Sequence, residues 1–171
     1  MLLHLKQNGR VDTMRINLGS GKCPKSGYIN CDNNPRAKVV TTSQGLEFKQ
    51  LDVRERLPWD TDSIEEVRCE NLFDSLSHTE TTELLREIHR VLRPAGMVKF
   101  HLGDVAVNPD MCIGWPFFKS GYTRHFFKYF TVNDSAHETW KDYWNLPGFD
   151  QVEIVHNESG IMLGSMSKPQ E

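Results

Sequence analysis

The residues best placed to act together are two glycines and a carboxylate. Leu18-Gly19-Ser20-Gly21 halts a strand-like run from Arg15 to Leu18, and Asp32 ends a second such run from Gly27. Glycines admit a ligand close to the backbone because no Cβ stands in the way. A carboxylate at a strand end accepts hydrogen bonds from both hydroxyls of a ribose. In an open α/β sheet, ligands bind beyond the carboxyl ends of the strands, where glycines and a following acid take these roles. Pattern alone is met equally well by a tight glycine turn beside an ordinary aspartate.

A nicotinamide dinucleotide fits this spacing poorly. The pyrophosphate cradle G-x-G-x-x-G needs a glycine where the chain has Pro24. Asp32 follows Gly19 by only 13 residues, against roughly 20 in the dinucleotide fingerprint. The short spacing also leaves only residues 19–26 for a parallel crossover, which normally takes at least about 10 residues and often a helix.

The elements that must hold these residues alternate. Weaker strand candidates lie at Val39-Val40 and from Phe48 to Val53, the latter ending near Asp52. Ile64 to Cys69 reads as a strand, followed by a short helical segment around Leu72, Phe73 and Leu76. Leu84, Leu85, Ile88, Val91 and Leu92 recur at helical spacing, Ser77-x-x-Glu80 forms a capping box, and Pro94 with Gly96 supplies the stop. Met97 to Leu102 reads as a buried strand. Thr131-x-x-Asp134 caps a helix whose Val132, Ala136, Trp140 and Tyr143 share a face expected to be core. Val152 to His156 and Ile161 to Met166 form an antiparallel hairpin. Residues 1–13 read as a loose extension and residues 14–171 as one domain.

Composition narrows the partners. The chain has 171 residues, 38% hydrophobic and 25% charged, with a net charge of −3, so bulk charge attracts neither nucleic acid nor an anionic membrane. Cys23, Cys31, Cys69 and Cys112 form no C-x-x-C pair, and no metal is expected. Reduced thiols, no signal peptide and no run near the ~20 apolar residues of a spanning helix predict a cytoplasmic protein with no membrane partner. Residues 105–130 carry many aromatics. Lys119, Arg124, His125 and Lys128 interleave with them as on a nucleic-acid surface, yet four cations in an acidic chain favour a packed core or substrate lid over nucleic acid.

Taken together, Ile16 to Gly21 and Gly27 to Asp32 resemble the opening of the compact class I (Rossmann-like) methyltransferases that use S-adenosylmethionine (SAM). Leu57 to Val67 is similar to that family's loop into its fourth strand, and Leu84 to Gly96 to its helix and turn before the fifth. The resemblance implies a mostly parallel α/β sheet with helices on both faces, the antiparallel hairpin at its end, and little or no helix between the first two strands. It implies that Leu18, Gly19, Ser20 and Gly21 line the methionine end of SAM, that Asp32 holds the ribose, that Asp52 and Val53 border the adenine, and that Asn71 and Leu72 close the pocket.

Many relatives carry His-x-x-Glu-His after the fourth strand. Here Asn71-Leu72-Phe73-Asp74-Ser75 lacks both histidines, and Ala95 replaces a usual glycine. The expected function is methyl transfer to an unidentified acceptor, a small molecule or polymer end. A non-catalytic SAM-binding module is the alternative. Because such transfer is an in-line displacement, positioning carries much of it. Asp104, ending the fifth strand, is the candidate base, with His125 and His101 behind it.

Overall fold

The computed structural model describes residues 13–170; the loose extension expected over residues 1–13 lies, apart from Thr13, outside the described residues. The elements are β1 (Met14–Leu18), β2 (Ile29–Asp32), α1 (Pro35–Ser43), β3 (Phe48–Gln50), β4 (Ile64–Glu70), α2 (His78–Val91), β5 (Leu92–Gly103), α3 (Pro109–Ile113), α4 (Arg124–Lys128), α5 (Ser135–Trp144), β6 (Asp150–His156) and β7 (Ile161–Ser167). The seven strands form one sheet in the order β3-β2-β1-β4-β5-β7-β6. All neighbours are parallel except β7, which runs antiparallel to β5 and β6. The expected α/β sheet and closing hairpin are therefore present. Right-handed crossovers stepping in opposite directions across the sheet put α1 and α2 on opposite faces.

Strand alternation builds the core. Val67 and Cys69 of β4 are fully buried beneath α2 with Ile16, Leu18, Leu84, Leu85 and Ile88, while Glu66, Arg68 and Glu70 point the other way. There Lys99 pairs with Glu66 at 2.7 Å and Lys25 with Glu70 at 3.1 Å. The capping box is formed: Glu80 N donates to Ser77 Oγ at 3.2 Å and Ser77 N to Glu80 Oε2 at 2.7 Å. Where α2 turns into β5, Ala95 takes φ 59°, a left-handed conformation that glycine adopts more readily.

Two expectations need correction. Val39-Val40 lies inside α1, not in a strand. Asn34 caps that helix, accepting from Arg36 N at 2.9 Å, and Pro35 fills a first-turn position whose N–H would have no helical partner. The last helix is capped by Asp134 rather than Thr131, so its buried residue is His137, and Trp140 and Tyr143 are exposed. Part of the long aromatic stretch packs as core, Phe127 stacking on Phe100 at 4.5 Å with Phe73 and Tyr122 flanking it, while Trp115, Phe117 and Tyr129 are exposed. Against Phe100, only glycine fits at 164, where a Cβ would stand 2.1 Å from the ring.

No helix joins β1 to β2. The crossover is held by a buried side chain, Asn30, whose Oδ1 accepts from Lys25 N at 2.7 Å and Asn17 Nδ2 at 2.9 Å. Its Nδ2 donates to the carbonyls of Lys25, Tyr28 and Glu47 at 3.0, 3.2 and 3.2 Å. Asn30→Ala leaves these buried groups without partners and is expected to cost about 3 kcal/mol in chemical denaturation. A loss within 0.5 kcal/mol, on the order of an innocuous surface change, would show that the loop holds itself.

Candidate functional site

The carboxyl ends of β1, β2, β3 and β4 open into one cleft of about 350 Å³, within the size range of small-molecule sites. Gly19 stands at its base with φ 66°, and a Cβ there would lie 2.9 Å from Leu72 Cδ1. Glycine is favoured both by this left-handed backbone and by the closeness of Leu72. Asp32 faces the cleft. Its Oδ2 accepts from Gly21 N at 2.9 Å and its Oδ1 from Asn34 N at 2.8 Å, which fixes the carboxylate while each oxygen keeps a further lone pair.

On one wall, Asp52 and Val53 follow β3. Arg54 grips Asp52 through its guanidinium and its backbone N–H, and that pairing holds the carboxyl down to about 2. On the other wall, Asn71 and Leu72 follow β4, with Ser75, Leu76 and Lys119 beyond. Asn71 takes φ 51°, a conformation asparagine tolerates better than most residues. Lys119 N donates to the Asp74 carbonyl at 2.7 Å, and its ammonium lies 3.3 Å from Glu80.

Of the sequence candidates for the ligand site, Gly19, Asp32, Asp52, Val53, Asn71 and Leu72 meet in this cleft. Leu18 and Ser20 are buried behind it, and Gly21 meets it through Asp32. Asp104, directly after β5, is almost fully buried, its Oδ1 accepting from Ala106 N at 2.8 Å and its Oδ2 lying 2.6 Å from His156 Nε2. His156 was not singled out from the sequence, because the two residues are 52 apart. His125 is exposed on α4, outside the cleft lining. His101 lines a different hollow with Arg68 and Glu70, and burial lowers its pKa.

A second residue unmarked by the sequence is Asp74. It is 3% exposed, sits in the turn between Leu72 and Ser75, and has no hydrogen-bond partner for Oδ2 among the described residues. Burial raises its carboxyl to about 7. Among the described residues no group of three or more His, Cys, Asp and Glu side chains could hold a metal ion, and no helix is long and apolar enough to cross a membrane.

Residues 25–100 match a family model described as a methyltransferase domain. The fold matches a SAM-dependent methyltransferase of Methanosarcina mazei with a TM-score of 0.64 at 13% identity, covering 95% of each chain. A SAM-dependent methyltransferase of Archaeoglobus fulgidus matches with a TM-score of 0.66 at 12% identity, over 91% of this chain and 86% of that one. A chain from the Haloferax volcanii complex of the Trm112 methyltransferase activator with a methyltransferase matches at 0.65 and 14% identity, over 94% and 83%. A search of curated proteins finds no match.

Asp74 carries a pH signature. Its folded value of about 7 exceeds the ordinary 3.8, so the native state binds the proton more tightly than the unfolded chain. The stability this contributes is full below the ordinary value and is lost as pH rises toward 7. Asp74→Asn is therefore expected to melt higher than the wild type at pH 8 and to lose that advantage by pH 4. Parallel melting curves across this range would contradict a titrating buried carboxyl.

Proposed function

We propose that this chain is a class I methyltransferase that takes SAM as its cofactor, binds it in the cleft between the glycine loop and the turn after β4 and transfers its methyl group to an oxygen or nitrogen acceptor. The observation that carries the reading is Asp32, a carboxylate anchored by two backbone N–H groups yet open to the cleft beside Gly19, whose missing side chain leaves the approach clear. Two vicinal hydroxyls match the lone pairs such a carboxylate has left. When bound, the cofactor supplies an electrophilic methyl group on a positively charged sulfur.

The chain's own residues divide the remaining work. Gly19 lets the backbone approach the methionine end, with Ser20 and Gly21 shaping the loop from behind. Asp52 and Val53 border the adenine, Arg54 keeping Asp52 ionised and oriented. Asn71 and Leu72 close the pocket, and residues 105–130 form the acceptor side.

Proton removal falls to a pair rather than to Asp104 alone. β6 runs parallel to β5, so His156 ends its strand at the same sheet edge as Asp104 and the cleft. With Asp104 on Nε2, His156 Nδ1 is left to take the acceptor's proton, and the buried carboxylate stabilises the imidazolium that forms. His125 has no such orienting partner among the described residues.

Calorimetric titration tests the cofactor assignment. Saturable heat is expected with SAM and none with NAD. Asp32→Ala should weaken SAM binding about 10- to 150-fold, the worth of a charge-assisted hydrogen bond of about 1.5–3 kcal/mol. Unchanged affinity would remove Asp32 from the site.

For the proton step, Asp104→Asn and His156→Gln should each keep SAM affinity and slow transfer to an acceptor found by screening by about 100-fold. Turnover at the wild-type rate in both would remove the pair from the mechanism.

A further inference from the structure

Asp74 occupies a costly position that the cofactor assignment alone does not explain. Leu72 and Ser75, on either side of it in the chain, line the cleft, while Asp74 itself is buried in the wall between the cleft and the segment crossing from β5. Its main-chain carbonyl is used, accepting from Lys119 N and Ser120 N at 2.7 and 3.3 Å. Its Oδ2 has no partner among the described residues. A structural carboxylate in such a place is ordinarily paired, because an uncompensated buried charge is strongly unfavourable.

The groups around it do not supply a counter-charge. Cys112 on α3 and Tyr122 before α4 are themselves held in their neutral forms, the thiol raised by burial and by the Asp74 and Asp104 charges, the phenol raised by burial to about 12. The Asp104 carboxylate is taken by His156 and Ala106 N. The Lys119 ammonium is turned to Glu80 on α2, and Arg54 across the cleft is committed to Asp52. The nearest unmet need in this wall is therefore for a positive charge.

We propose that Asp74 senses the charge on the sulfur of the bound cofactor: it ionises beside the sulfonium and takes a proton again once the sulfur is a neutral thioether, so that the cleft favours SAM over S-adenosylhomocysteine. The inference rests on the cofactor assignment made above. Contact is not required, since Coulombic coupling in a water-poor wall reaches across a side chain. The balance is simple. When SAM binds, Asp74 releases its proton to solvent; when the S–CH3 bond breaks with its electron pair left on sulfur, the positive charge is gone and the carboxyl regains a proton from solvent. With its ordinary buried value near 7, the carboxyl is poised to respond in both directions at neutral pH.

The test is calorimetric titration at pH 7 in buffers of different protonation enthalpy, with SAM and with S-adenosylhomocysteine, on the wild type, Asp74→Asn and Asp74→Ser. Two variants are used so that a folding failure in one leaves the comparison intact. SAM binding to the wild type should release about half a proton more than binding to either variant, and wild-type affinity should rise about tenfold more than theirs between pH 6 and pH 8. S-adenosylhomocysteine should give no such difference between wild type and variants. Equal proton release by wild type and variants with SAM would overturn the role of Asp74 while leaving the cofactor assignment standing. An equal difference with both ligands would mean that Asp74 responds to occupancy and not to charge, which also overturns the proposal. No saturable heat with either ligand would overturn both readings.

Discussion

A buried amide does the work of a helix. In a parallel sheet the chain must return to the starting edge between successive strands, and a packed helix is the usual means. Between β1 and β2 the loop is too short for one, and Asn30 collects the loop's backbone groups in its place, bonding to Lys25 from both ends of the amide and drawing in Asn17 and Glu47. This shapes the site directly. Asn30 and Asp32 lie on the same four-residue strand, so the residue that anchors the crossover also sets the height at which Asp32 meets Gly21. The glycine loop is thus held from below by an amide and from above by a carboxylate. A helix would have introduced freedom of tilt; the hydrogen-bonded loop does not.

The same economy governs charge in the cleft. Asp32 is satisfied by backbone N–H groups, which bring no net charge, so it stays available to hydroxyl donors. Asp52 is instead paired with Arg54, whose positive charge offsets its own. Asp74 has neither kind of partner. Three carboxylates within one site therefore occupy three electrostatic conditions, and what differs among them is the identity of the donor rather than the acid itself.

Most of the framework around the cleft was legible in the sequence because its signals are local. The capping box of Ser77 and Glu80, the apolar spacing of α2 and the glycine loop each involve residues within one or two turns of chain, where spacing reports structure directly. The α1 helix was missed because Val39-Val40 has the β-branched character of a strand, while Asn34-Pro35, a cap followed by a first-turn proline, reads equally as a break. The helix face of α5 was misjudged because moving the cap from Thr131 to Asp134 starts the helix beyond Val132 and shifts which residues look inward; His137 is buried against the Tyr129 carbonyl, and the indole and phenol rings are left outside. The pairing of Asp104 with His156 and the isolation of Asp74 depend on β6 and on the segment after β5 folding back over the sheet. No periodicity encodes that return, since the rings of Phe73, Phe100 and Phe127 meet from three different elements.

This division bears on Asn71 and Ser75, which stand where many of the methyltransferases the sequence resembles carry histidines. Position 71 needs a left-handed backbone, which asparagine accepts, and its N–H donates to the His101 carbonyl at 2.9 Å, so the substitution keeps the wall of the cleft. Position 75 is a serine that turns its hydroxyl back to the Leu72 carbonyl at 2.7 Å, closing the same short turn. Both residues thus serve backbone geometry in the wall of the cleft. An imidazole reappears at the far side, on β6, oriented by the acid directly after β5. The cleft half of the sheet is thus constrained by Asn30 and Asp32, while the Asp104–His156 pair on the other half depends on the aromatic segment laid over it.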